Sequence, residues 1–173
     1  FPRETWKNNA VVSSYEPGSI FKPIVAAAAI DKGVAQPHDR FFCENGSFKV
    51  GKNKIGEADN HKFGSLSVKE IIAKSSNIGA IKIAQKLGKN FFYEYIQKFG
   101  FGEKPGVRLP GVSSGLLGGR RSWTDYSLAS ISFGHEIAVT PLQMVAALSA
   151  IANGGTLMEP HITKALIRDG KIV

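Results

Sequence analysis

The sequence predicts a helix-dominated α+β domain, and three observations carry that prediction. Two runs, "IVAAAAI" (24–30) and "MVAALSAIA" (144–152), are apolar nearly all round. That pattern marks helices packed into one core rather than laid on a surface. Two capping boxes, "SVKE" from Ser67 and "TPLQ" from Thr140, announce helix starts, because the cap hydroxyl and the acid or amide three residues on satisfy each other's backbone N–H. Between the helices, "GSFKVGKNKIGEADNHKFG" (46–64) reads as a short hairpin or ordered loop. With 173 residues, 43% hydrophobic and 21% charged, residues 1–173 suit a single domain that can bury a core.

In chain order, residues 1–14 read as polar and irregular. "EPGS" (16–19) is a turn that delivers the chain to a helix from about Ser19 to Asp31, closed by Gly33. Pro23 falls in its first turn, where a missing N–H costs little. The "SVKE" helix carries Ile71, Ile72 and Ala73 and stops near "KSSN" (74–77). "IGAIKIAQKL" (78–87) follows directly and ends at Gly88. "NFFYEYIQKFG" (90–100) is a further helix with Asn90 as its cap. Residues 101–122 are a Gly- and Pro-rich loop. "TPLQMVAALSAIANGG" has Thr140 as cap and Pro141 in the first position, and its nearly continuous apolar body predicts burial. "GTLMEPHITKALIRDGKIV" ends the chain with one or two strands around an Asp-Gly turn.

Composition narrows the function classes. The net charge of +8 suits an anionic partner. The basic residues are scattered, however, and the densest group, "KVGKNK" (49–54), sits among glycines as a turn, so nucleic-acid binding is not expected. The longest apolar stretch is Ile24–Ile30, far short of the roughly 20 residues of a membrane span. "FPRETWKNNA" has no apolar core, so the chain begins after any targeting segment or never had one. Cys43 is the sole cysteine and allows no internal disulfide. His38, His61, His135 and His161 are far apart without metal-ligand spacing, so no metal site is expected.

The chemistry is concentrated in "YEPGSIFKPIVAAAAIDKG" (15–33). Residues i and i+3 share a helix face, so Ser19 and Lys22 can touch. A serine hydroxyl is a poor nucleophile until a base takes its proton, and a lysine becomes that base when burial lowers its pKa. Phe21, Pro23, Ile24 and Val25 supply the apolar surroundings. Taken alone, the pattern is better explained by Ser19 as a helix cap and Lys22 as a snorkelling lysine. A second signal is "SSN" (75–77), between two helices: Ser75 can relay a proton and Asn77 can hold a substrate amide. Its plain alternative is a pair of helix caps.

S-x-x-K followed by S-x-N is a known pairing of penicillin-recognising acyl-serine enzymes. The likeness extends to "NNAVVSSYEPGSIFKP", "SLSVKEIIAKSSNIGAIKIAQKLG", "FGFGEKPGVRLPGVSSG" and "SFGHEIAVTPLQMVAALSAIANGGTLMEPHI". Together these blocks resemble class B penicillin-binding proteins, the peptidoglycan D,D-transpeptidases; "LPGVSSG" and "RRSWTDYSLASISFGHEIAVTP" are most like the division-type (septal) branch. The resemblance implies the α/β (α+β) penicillin-recognising acyl-serine transferase fold, of which this chain would be mainly the helical part with an incomplete antiparallel sheet. It implies Ser19 as the acylated nucleophile, Lys22 as its base, Ser75 as proton shuttle to the leaving amine, and Asn77 as a ligand of the donor peptide. It further implies no metal or organic cofactor, peptidoglycan stem peptides as substrate, and β-lactams that acylate Ser19. Other division or elongation proteins would be partners. The location would be the outer face of the cytoplasmic membrane, through an anchor not in this chain.

The family's third motif, K-T/S-G, is not found. "KVG" (49–51) precedes S-x-N, and "KPG" (104–106) has a proline unsuited to a pairing strand. The chain therefore reads as an internal fragment of a transpeptidase domain, expected to be a weak enzyme alone. Two alternatives stay open. One is a β-lactamase or β-lactam sensor on the same scaffold, which needs a deacylating group; no candidate glutamate is evident near either motif. The other is a non-catalytic division scaffold. Arg120, Arg121 and Trp123 read as a solvated loop or a partner surface, and His135 and Glu136 as the rim of the site or plain surface.

Overall fold

The structure is a computed structural model that describes residues 2, 6–165, 167–168 and 171–172. Its helices are α1 (Asn9–Val12), α2 (Lys22–Asp31), α3 (Val68–Ala73), α4 (Asn77–Leu87), α5 (Lys89–Lys98), α6 (Asp125–Ser132) and α7 (Pro141–Ala152). The strands form antiparallel pairs: β1 (Arg40–Phe42) with β4 (Ser65–Ser67), and β2 (Ser47–Val50) with β3 (Asn53–Gly56). Short pairs follow between β5 (Leu116–Leu117) and β6 (Ile137–Ala138), and between β7 (Ile167–Arg168) and β8 (Lys171–Ile172). Among the described residues these pairs do not merge into a larger sheet. The expected hairpin at 46–64 is β2–β3. The expected C-terminal pair is β7–β8, and its Asp-Gly turn lies outside the described residues.

The core gathers around α2. Ile24, Val25, Ala28 and Ala29 are buried on it and pack with Ile78, Ile83, Ala84 and Leu87 of α4 and with Met144 and Ala147 of α7. The alanines let neighbouring helices approach closely, while each buried Ile or Leu contributes about 1.5–3 kcal/mol of apolar burial. Phe21, at the mouth of α2, meets Phe101 with ring centroids 5.3 Å apart. The capping boxes form as the sequence predicts: Ser67 with Glu70 at α3, and Thr140 with Gln143 at α7. Gln143 does more than cap. Its buried amide also donates to the carbonyls of Gly100, Glu103 and Ser114, tying the Gly- and Pro-rich loop to α7.

Several expectations need correction. The turn preceding α2 is a 3-10 turn over Gly18–Phe21, not α-helix from Ser19. Pro23 has no N–H to donate to the Ser19 carbonyl, so the Lys22 N–H takes that acceptor one residue early. Helix α7 is buried on one face only: Val145 is 61% exposed, Leu148 and Ile151 lie beside it on the outer side, and Met144, Ala147 and Ala150 face inward. An all-apolar helix has no polar stripe to declare which side faces out. The residue before α5 is Gly88, and Asn90 lies inside the helix without a capping bond. Helices α1 and α6 arise where no element was read. Trp123 is a core residue rather than a surface one, packed edge-on against Phe92 and Tyr93.

Candidate active site

Lys22 joins the two motifs. Lys22 is 1% exposed, and its Nζ lies within hydrogen-bond distance of Ser19 Oγ (3.1 Å), Ser75 Oγ (2.9 Å), the Ser75 carbonyl (2.5 Å) and Asn77 Oδ1 (2.7 Å). Ser19 itself is exposed at the start of the turn. All four residues expected from the sequence therefore meet at one amine, with the nucleophile candidate on the open side. Burial pushes the Lys22 amine down to about 8, against the raising influence of the Glu57 charge.

The acceptor count describes the chemistry available to that amine. The Ser75 carbonyl and Asn77 Oδ1 can only accept, so they use two N–H groups. A neutral amine has two N–H groups and one lone pair. The lone pair then faces the two hydroxyls, of Ser19 and Ser75, which can each donate as well as accept. The geometry thus accommodates a neutral lysine poised to take a serine proton.

The loop that carries Ser75 is held in an unusual shape. Ser75 lies at φ +56°, a left-handed conformation that costs a non-glycine residue about 1–2 kcal/mol. It is fixed by the Ser75 N–H on the Ile72 carbonyl and the Ser76 N–H on the Ile71 carbonyl. Ser76, not Asn77, caps α4, through its hydroxyl accepting from the Gly79 N–H. Gly79 is required there: a Cβ would lie 2.5 Å from Ile71 Cγ1.

Glu57 is the residue that the sequence reading missed, and it corrects the expectation that no glutamate lies near either motif. Its buried carboxylate accepts from Ser76 Oγ (2.6 Å) and from the Asn77 N–H (2.5 Å). Its neighbour Gly56 accepts from Asn77 Nδ2 at 3.0 Å, which turns the amide oxygen toward Lys22. The only sequence signal was an acidic residue within the predicted hairpin or loop at 46–64.

A second brace holds the Ser19 turn. The Gly18 N–H donates to the Gly134 carbonyl at 3.0 Å, and Tyr15 and Val139 pair backbone to backbone. Glu16 accepts from the Glu136 N–H (3.0 Å) and pairs with His135 Nδ1 (2.8 Å), contacts that lower its carboxyl pKa. His135 and Glu136 thus brace the turn, consistent with their expected place at the rim. The apolar groove lined by Ile30, Tyr95, Ile151 and Leu157 is at the far end of α2, and its lining includes none of the four motif residues.

Comparison with known proteins identifies the family. The sequence pattern of the penicillin binding protein transpeptidase domain matches residues 2–172. The chain belongs to the penicillin-binding protein transpeptidase family. Its relatives set it in the class B, division-type branch, as the resemblance implied. It is similar to penicillin-binding protein PbpB of Mycolicibacterium smegmatis, with 38% identity over 95% of this chain and 26% of that protein. It is 32% identical to the probable peptidoglycan D,D-transpeptidase PenA of Neisseria meningitidis serogroup A, over 95% of this chain and 28% of that one. Among solved structures, penicillin binding protein 3 of Mycobacterium tuberculosis complexed with aztreonam superposes with a TM-score of 0.88 at 34% identity, over 96% of this chain and 37% of that one. The chain spans about a quarter of the length of these curated relatives.

Proposed function

We propose that the chain is part of one transpeptidase domain of a longer D,D-transpeptidase that cross-links peptidoglycan stem peptides. The observation that carries this reading is the single buried amine of Lys22 in contact with Ser19, Ser75 and Asn77. In the donor half-reaction, Ser19 Oγ attacks the carbonyl of a D-Ala-D-Ala bond while its proton passes to Lys22 Nζ. The C–N bond breaks, Ser75 delivers a proton to the departing D-alanine amine, and the acyl group stays on Ser19. Asn77 orients the donor peptide. An amine of a neighbouring strand then takes the acyl group. The name of PenA and the aztreonam complex of the tuberculosis protein support extending this chemistry, and β-lactam acylation of Ser19, to this chain. Such a protein works at the outer face of the cytoplasmic membrane among other division or elongation proteins.

Intact-mass measurement on the full-length protein after incubation with a penicillin tests the reading. One adduct per molecule is expected. Ser19→Ala abolishes it, and Lys22→Ala slows it by about 10²- to 10⁴-fold, the usual worth of a general base. An adduct that survives Ser19→Ala refutes the assignment. Absence of an adduct on the unaltered protein favours the non-catalytic scaffold, and rapid turnover with accumulating hydrolysed drug favours the β-lactamase.

A further inference from the structure

We propose that Glu57 is a positioning residue for acyl transfer, holding the Ser75–Asn77 loop on Lys22 by hydrogen bonds and the protonated form of Lys22 by its charge. The inference rests on the acyl-serine reading above. Both Glu57 carboxylate oxygens are engaged, Oε1 by the Ser76 hydroxyl and Oε2 by the Asn77 N–H. The same short segment therefore fixes the cap of α4, the backbone of Asn77 and, through Gly56, its side-chain amide. Moving Glu57 would let the acceptors of Lys22 drift together, since Ser75 and Asn77 flank Ser76.

The charge has a separate effect. When Ser19 gives up its proton, Lys22 becomes an ammonium in a site that is 1% exposed. An unpaired buried ammonium is strongly disfavoured. Among the groups facing Lys22, Ser19, Ser75 and Asn77 are neutral, and the Glu57 carboxylate opposes the desolvation of the amine. Other titratable groups around Glu57 do not substitute for it. The Cys43 thiol, which accepts from Ser76 Oγ at 3.5 Å, is raised mainly by burial and so stays neutral near pH 8. Lys82 is paired with Glu44. Glu57 thus stabilises the charge that acylation creates, without touching substrate.

The test follows the pH dependence of acylation of the full-length protein by a fluorescent penicillin. The rate should rise with pH as Lys22 loses its proton, with a midpoint near 8. Glu57→Gln should move that midpoint down by roughly one pH unit, the lower end of what an opposite charge near a titrating group is worth, and lower the plateau. Glu57→Asp keeps the charge but is too short to reach both Ser76 and Asn77. Its midpoint should stay at the wild-type value while its plateau falls. A Glu57→Gln protein with wild-type midpoint overturns the electrostatic role. If Glu57→Gln gives no cooperative melt, Glu57→Asp decides: wild-type midpoint with a lower plateau supports the proposal, and wild-type values of both overturn it. Failure of the unaltered protein to acylate at Ser19 would instead remove the acyl-serine reading itself.

Discussion

Replacing Gly134 by alanine should disable the site without touching a motif residue. Gly134 lies at φ +84°, and a Cβ there would stand 2.1 Å from the Gly18 carbonyl oxygen, 2.5 Å from its nitrogen and 2.7 Å from its carbonyl carbon. Ordinary contact begins near 3.4 Å, so the two backbones must part by more than 1 Å. Neither is a flexible side chain, and the Gly18 N–H bond to the Gly134 carbonyl must break in the process. The left-handed conformation costs alanine about 1–2 kcal/mol, and the overpacking about 1–3 kcal/mol. Together these predict a loss of roughly 2–5 kcal/mol. Gly18 precedes Ser19, and a nucleophile displaced by about 1 Å typically loses about 10²-fold in rate. Gly18→Ala separates the two effects, because Gly18 is at φ +57° with nothing within 4 Å of its Cβ. It should cost only the dihedral strain, about 1–2 kcal/mol. The assay pairs thermal melts with penicillin acylation rates for both variants of the full-length protein. Equal losses in the two, or a folded Gly134→Ala protein acylating at the wild-type rate, would refute the argument that this clamp positions Ser19.

Two further predictions concern stability. Lys22 titrates near 8 in the folded protein and near 10.5 when unfolded. Below pH 8 both states hold the proton and the folded state bears the full cost of the buried ammonium; between 8 and 10.5 only the unfolded state keeps it. Stability should therefore rise with pH across this window by about 3 kcal/mol, read as the difference between unaltered and Lys22→Ala proteins in urea melts. No relative gain would contradict the burial argument. Gly79→Ala should cost about 1–3 kcal/mol through its clash with Ile71. Because the atoms it meets are side-chain carbons, Ile71→Ala should cost less in the Gly79→Ala background than alone. Strictly additive losses would show that the contact is not the cause.

The parts of this site that were legible in the sequence are those set by spacing along one element. Ser19 and Lys22 are three residues apart on one turn, and the capping boxes at Ser67 and Thr140 are local by construction. What could not be read depends on tertiary partners. Glu57 reaches Ser76 and Asn77 across the fold, and nothing in "GEADN" distinguishes it from a solvated loop carboxylate. Helix α6, "DYSLASIS", is short and rich in Ser, a modest helix former. It forms because Thr124 caps it and because Leu128, Ala129 and Ile131 are buried on it. Trp123 was masked by its polar neighbours Arg120, Arg121 and Ser122, which stay exposed while the indole turns inward.

The occupancy of Glu57 also bears on what happens to an acylated Ser19. A hydrolase on this scaffold needs a base free to activate water. Both Glu57 oxygens already accept hydrogen bonds from the Ser75–Asn77 loop, so Glu57 is engaged in holding that loop. The groups left beside Ser19 are Lys22 and Ser75, which touch each other at 2.9 Å. On the mechanism proposed above, Ser75 passes a proton to the departing amine and draws its replacement from Lys22, which leaves the lysine neutral again. It is then in the state needed to receive a proton from an incoming amine. On the proposed mechanism, one proton path would serve both half-reactions in opposite directions. On the acyl-serine reading proposed above, this reversible path suits transfer of the acyl group from Ser19 to an amine.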